Sequence, residues 1–173
     1  MQAGHNKPSF SQSVVATLIN LFFLIVLSTS GCSPSTVSST SPKAESAFRE
    51  MIGVSIEPRI RLLTEQDQYR RQDDIGIWVE NRSNYTLSFR DQSLGLEAYQ
   101  YDEQAEAWNS VDLGFTLADP QAIAVKPGPR TALPSVSVPV EWIEASGKIR
   151  LVITGMTDTG QEFVAYKDIE IVD

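Results

Sequence analysis

Apolar side chains recur at every second position through most of the chain beyond residue 48. A period of two is the mark of half-buried β-strands, and it excludes a helical bundle. Ile60, Leu62 and Thr64 alternate with Arg59, Arg61 and Leu63. Ile75, Ile77 and Val79 alternate with Gly76, Trp78 and Glu80, and Tyr85, Leu87 and Phe89 with Thr86, Ser88 and Arg90. Val136, Val138 and Val140 follow the same rule, as do Ile149, Leu151 and Ile153, and Phe163 to Val172 reads as a last strand. Turn-forming runs separate these segments: Asn81-Arg82-Ser83-Asn84, Asp102 to Ala107, Lys126-Pro127-Gly128-Pro129 and Thr157-Asp158-Thr159-Gly160. Seven to nine short strands at this spacing predict an all-β fold, an antiparallel β-sandwich over residues 48–173. Pro139 inside an alternating run marks an edge strand or a bulge. A single helical turn is expected within Glu141–Ser146, and a brief helix within Ser46–Gly53.

The N-terminal part follows different rules. Val14 to Leu27 reads VVATLINLFFLIVL, is preceded by a polar stretch carrying Lys7, and is followed by Ser28-Thr29-Ser30-Gly31. A spanning helix needs about 20 apolar residues, and this run is shorter. A short apolar core ending in small residues has the layout of a secretion signal, so residues 1–31 are expected to be a signal peptide. Cys32, the only cysteine, comes directly after it. Thr29-Ser30-Gly31-Cys32 resembles the lipobox of bacterial lipoprotein precursors, with Thr29 standing where that family usually carries Leu. The resemblance implies cleavage before Cys32 and a modified Cys32 carrying several acyl chains such as palmitate, which together anchor stably. It also implies an extracytoplasmic, membrane-anchored location. Ser33, in place of an Asp, agrees with outer-membrane or cell-surface sorting in a Gram-negative host. An uncleaved N-terminal anchor and plain secretion are the alternatives. Residues 33–47 read SPSTVSSTSPKAESA. Such a stretch buries too little to offset its ordering entropy, so residues 32–47 are expected to form a disordered linker reaching about 20 Å.

Composition removes many chemistries. No acidic residue precedes Cys32 and Lys7 is the only base there, so the part from Cys32 onward carries a formal charge of −9. Phosphate backbones would be repelled, and nucleic acid is not an expected partner. His5 is the only histidine and lies in the signal segment. The domain then lacks the imidazole that Ser-His-Asp and Cys-His pairs need. It also lacks the His and Cys ligands on which zinc, copper and haem sites are built, and no cofactor, metal or disulfide is expected. Glu141 and Glu144 beside Trp142 form the tidiest carboxylate pair, which a solvated rim explains. Asp73-Asp74, Asp102-Glu103 and Asp158 offer oxygens, but no DxDxDG-type calcium loop occurs. Nucleotide-binding and hydrolase motifs are likewise missing.

The strand pattern resembles the immunoglobulin-like and fibronectin-like sandwiches of bacterial envelope proteins, without the immunoglobulin cysteine pair. A second likeness rests on Asn81-x-Ser83 followed by Leu87-x-Phe89, then Tyr101-Asp102 before Trp108, then Lys126-Pro127-Gly128. These residues are similar to the BsuPI-type proteinase inhibitor domains, which would make Lys126–Arg130 an inhibitory loop. If the hairpin after Tyr99 turns across Glu103–Glu106, Tyr101 falls opposite Trp108, and Tyr99 joins the same face. Tyr99, Tyr101 and Trp108 then form either a platform for sugar rings or an apolar partner, or part of the core. The expected function is that of a non-enzymatic, membrane-tethered envelope lipoprotein, a protein-binding or structural module. Its partners would be the membrane, through the lipid, and an envelope protein. An extracellular carbohydrate-binding or adhesive domain and a proteinase-inhibitor-like domain are the alternatives.

Overall fold

The computed structural model describes residues 40–114, 121–128 and 136–172. Cys32, the expected signal segment and the linker up to residue 39 lie outside these residues. Ten strands are described: β1 (Ile60–Thr64), β2 (Gln68–Arg70), β3 (Asp74–Asn81), β4 (Leu87–Phe89), β5 (Glu97–Asp102), β6 (Ala107–Val111), β7 (Ile123–Val125), β8 (Val136–Pro139), β9 (Gly147–Thr157) and β10 (Glu162–Val172). A three-stranded sheet runs β1-β3-β8. A seven-stranded sheet runs β2-β10-β9-β4-β7, with β5 on β9 and β6 on β5. The fold is an all-β sandwich, and the described residues hold ten strands rather than seven to nine, because β2 and β7 are only three residues long and show no alternating run in the sequence. All pairings between these strands are antiparallel except that of β2 with β10.

The alternation sets the core. Ile60 and Leu62, Ile75, Ile77 and Val79, Leu87 and Phe89, and Ile149, Leu151 and Ile153 all point inward and are buried. Burial of this apolar surface is the main driving force for the fold. Pro139 ends β8, an edge strand, where its missing N–H costs no ladder bond. The expected helical turn is a 3₁₀ turn at Val140–Trp142. Trp78 is buried although it points away from the inward set of β3. It lies over Gly76 two residues earlier on the same face, where an added Cβ would sit 3.1 Å from the indole.

One expectation is corrected. Residues 42–47 are not linker: they begin helix α1 (Pro42–Ile52), and the folded unit starts at Thr40 instead of residue 48. The Ser and Pro that suggest disorder are here helix-start residues. Ser41 is the N-cap and its Oγ accepts from the Ala44 N–H at 3.2 Å. Pro42 occupies the first turn, where a missing N–H is harmless. Gly53 closes the helix at φ +62°, a left-handed conformation that favours glycine, and donates to Arg49 O.

Candidate functional site

Helix α1 packs on the outer face of the seven-stranded sheet, and register explains what lies beneath it. Even-numbered residues of β9 and β10 face outward, opposite to the core set. Asp168 pairs with Arg150, and Arg150 pairs with Tyr99 across β5. Tyr99 in turn faces Ser110, and Tyr101 faces Trp108, as the turn at Glu103–Glu106 requires. One transverse row thus carries a carboxylate, a guanidinium and a phenol.

Arg150 is the centre of this row and only 2% exposed. Its Nε donates to Asp168 Oδ1 at 2.6 Å and its Nη2 to Asp168 Oδ2 at 2.8 Å. Its Nη1 donates to Glu45 Oε2 of α1 at 2.8 Å. Three rings surround it: Tyr166 at 4.0 Å, Trp108 at 4.2 Å and Phe48 at 4.6 Å from the guanidinium carbon to ring centroid. Stacked rings and a two-pronged carboxylate suit the flat, weakly hydrated guanidinium. Phe48, 1% exposed, meets Tyr99, Trp108 and Tyr166 edge-on at 5.4–6.0 Å. Ala44, Val152 and Val164 complete this second apolar cluster.

The residues expected to bind a ligand are therefore brought together but covered. Trp108 is buried, and Tyr99 and Tyr101 are half-buried. Tyr99 donates to Glu97 Oε2 at 2.6 Å, and burial, reinforced by Glu97, pushes its hydroxyl up to about 12. Phe48 of α1 packs on Tyr99 and Trp108, so that part of the trio faces the helix. Glu45, Phe48, Arg150, Tyr166 and Asp168 are the residues that sequence reasoning missed. The signal was present. Val152, Val164 and Tyr166 are apolar on the supposedly solvated face, and Ala44, Phe48 and Ile52 recur at helical spacing.

The Glu45 carboxyl links helix and sheet. Partial burial alone would raise its pKa, but hydrogen bonds from Tyr166 and Arg150, with the charges of Arg150 and Arg49, hold it below the ordinary 4.5. Tyr166 Oη donates to Glu45 Oε1 at 2.7 Å. A depressed carboxyl stabilises the fold above its unfolded pKa and loses that contribution as pH falls through the folded value. Attachment of α1 is thus expected to be constant at neutral pH and to weaken below pH 4.5. The pH dependence of α1 amide protection checks this, with Glu45→Gln expected to flatten the profile. Identical profiles for the two proteins would refute it.

The outer stripe of β9 continues past the helix. Thr154 and Met156 line a depression of about 650 Å³ with Ser88, Arg90, Glu97 and Glu162. Met156 is 45% exposed there. Of the expected inhibitory loop, Lys126–Gly128 is described and Arg130 lies outside the described residues. Gly128 is pinned, its N–H donating to Asn81 O at 2.9 Å. Glu141 and Glu144 are exposed on the rim. Among the described residues no group of three or more His, Cys, Asp or Glu is placed to hold a metal ion. Among them, too, no helix is long and apolar enough to cross a membrane. The chain matches no family model, and no curated protein matches it in sequence.

Proposed function

We propose that the chain is a membrane-tethered, non-enzymatic envelope lipoprotein whose sandwich serves as a protein-binding or structural module. The observation that carries this reading is the position of Cys32. It follows a 14-residue apolar run, Val14–Leu27, after the four small residues Ser28-Thr29-Ser30-Gly31, and stands eight residues ahead of Thr40, where the folded unit starts. The domain beyond it holds neither histidine nor cysteine. Its most buried charged cluster joins Glu45 of α1 to Arg150 and Tyr166 beneath the helix, and Arg150 to Asp168. That arrangement suits holding a helix in place better than turning over a substrate. Protein contact is favoured over glycan because the depression on β4, β9 and β10 presents an exposed Met156 among Arg90, Glu97 and Glu162, while its one aromatic, Phe89, is buried.

Mass spectrometry of the membrane-extracted protein tests the proposal. The polypeptide is expected to begin at Cys32 with acyl chains attached, and Cys32→Ser is expected to leave the protein unlipidated and in the soluble fraction. A native chain still beginning at Met1 with an unmodified cysteine would overturn it.

A further inference from the structure

We propose that α1 is a releasable strap, which lifts from the sheet while the sandwich stays folded and so lengthens the tether. The consequence for the tether rests on the lipid-anchored reading above; the release does not. Four observations carry it.

The apolar contacts of α1 form a cluster separate from the sandwich core. Within the helix only Ala44 and Phe48 are buried, and Met51 is half-exposed. Of the polar groups beneath α1, Tyr166 Oη and Arg150 Nη1 lose their Glu45 partner to water on release, while the main anchor of the guanidinium stays. Arg150 keeps both bonds to Asp168 when Glu45 leaves, because Asp168 belongs to β10. The Trp108 indole N–H, in the cluster on which Phe48 packs, is buried with no hydrogen-bond partner among the described residues, so closure of α1 on this cluster gains no bond from it. The other side of the strap is a fixed stop. Val164 N donates to Ser55 O and Glu57 N to Val164 O, both at 3.3 Å, which ties the chain to β10 just beyond the Gly53 cap. The load path runs along the helix in sequence. Pull on the tether reaches the Lys148–Thr40 bond first, then the exposed Lys43–Glu106 pair, then Glu45, and Phe48 last.

An 11-residue helix has little stability alone, so a released α1 becomes extensible chain. Eight residues from Cys32 to Thr40 span at most about 28 Å, whereas the run from Cys32 to Val54 spans up to about 75 Å. Release would more than double the distance at which the domain can work from its anchor.

Hydrogen exchange of the full mature chain tests this. The amides of α1 are expected to exchange about a hundredfold faster than those of β9 and β10, through a local opening that is insensitive to denaturant. Phe48→Ala is expected to abolish α1 protection and leave β9 and β10 protected. Exchange of α1 and the sheet at one common rate in the unsubstituted protein would overturn the proposal, and so would loss of sheet protection in Phe48→Ala. Both are read whatever the N-terminus carries. Failure here is therefore distinct from failure of the lipid reading, which the N-terminal mass decides.

Discussion

Arg150→Ala is expected to lower the stability of the domain by about 3–5 kcal/mol, the usual result of removing one partner from a buried ion pair. The guanidinium is 2% exposed, and two carboxylates converge on it. Truncation leaves Asp168 and Glu45 facing each other across a vacated space lined by Phe48, Trp108 and Tyr166. Their side chains keep 22% and 25% exposure, so water relieves part of the repulsion and places the loss toward the lower end. Arg150→Lys keeps a charge but has no fork to bridge Asp168 and reach Glu45 together, so it is expected to recover only part of the loss. Arg150→Met combined with Asp168→Leu and Glu45→Gln is expected to restore most of it, since an uncharged set of similar volume needs no charge partner and the amide can still accept from Tyr166 Oη. Urea unfolding of the series checks the order. A shift for Arg150→Ala of about 0.5 kcal/mol or less, the usual surface value, would show that the cluster is not structural.

The cluster also shows where the sequence was legible. Inward positions of β1, β3, β4 and β9 could be read because two-residue alternation maps directly onto a buried face. The β5–β6 register followed from hairpin geometry: once the turn falls at Glu103–Glu106, Tyr101 must oppose Trp108. The covering of that face was hidden for a physical reason. Ser41 and Pro42 belong equally to a disordered stretch and to a helix start, and only tertiary burial of Phe48 distinguishes the two. Arg150 was hidden too. A lone arginine in an alternating strand is ordinarily a solvent-facing residue, and its partners Asp168 and Glu45 lie 18 and 105 residues away. The separation of sheet faces could be read locally, whereas what packs on the second face is a long-range fact.

Asn81 behaves in the opposite way, since its motif was visible but its role was structural. Asn81-x-Ser83 and Lys126-Pro127-Gly128, far apart in sequence, meet at this one buried amide. Asn81 Nδ2 donates to Tyr85 O at 2.8 Å and to Val125 O at 3.1 Å. Its Oδ1 accepts from Ser83 N at 3.0 Å and Ser83 Oγ at 2.6 Å. Its backbone carbonyl takes the Gly128 N–H. The amide thus staples the end of β3, the turn before β4 and the strand β7. Asn81→Ala is expected to destabilise by about 2–4 kcal/mol, because buried donors and acceptors on three segments lose partners at once. Asn81→Asp keeps the shape and is the sharper test. At neutral pH its carboxylate would face the Tyr85 and Val125 carbonyls with no proton to offer, so the loss should equal or exceed that of alanine. Such a site raises the pKa of the introduced carboxyl. A raised folded pKa means stability that is present at low pH and lost as pH rises through it, so this variant should regain stability on acidification relative to Asn81→Ala. Unfolding curves at pH 7 and at about pH 4, near the ordinary range of a carboxyl, separate the two substitutions. If they shift in parallel at both pH values, the amide hydrogens are not what holds the three segments together.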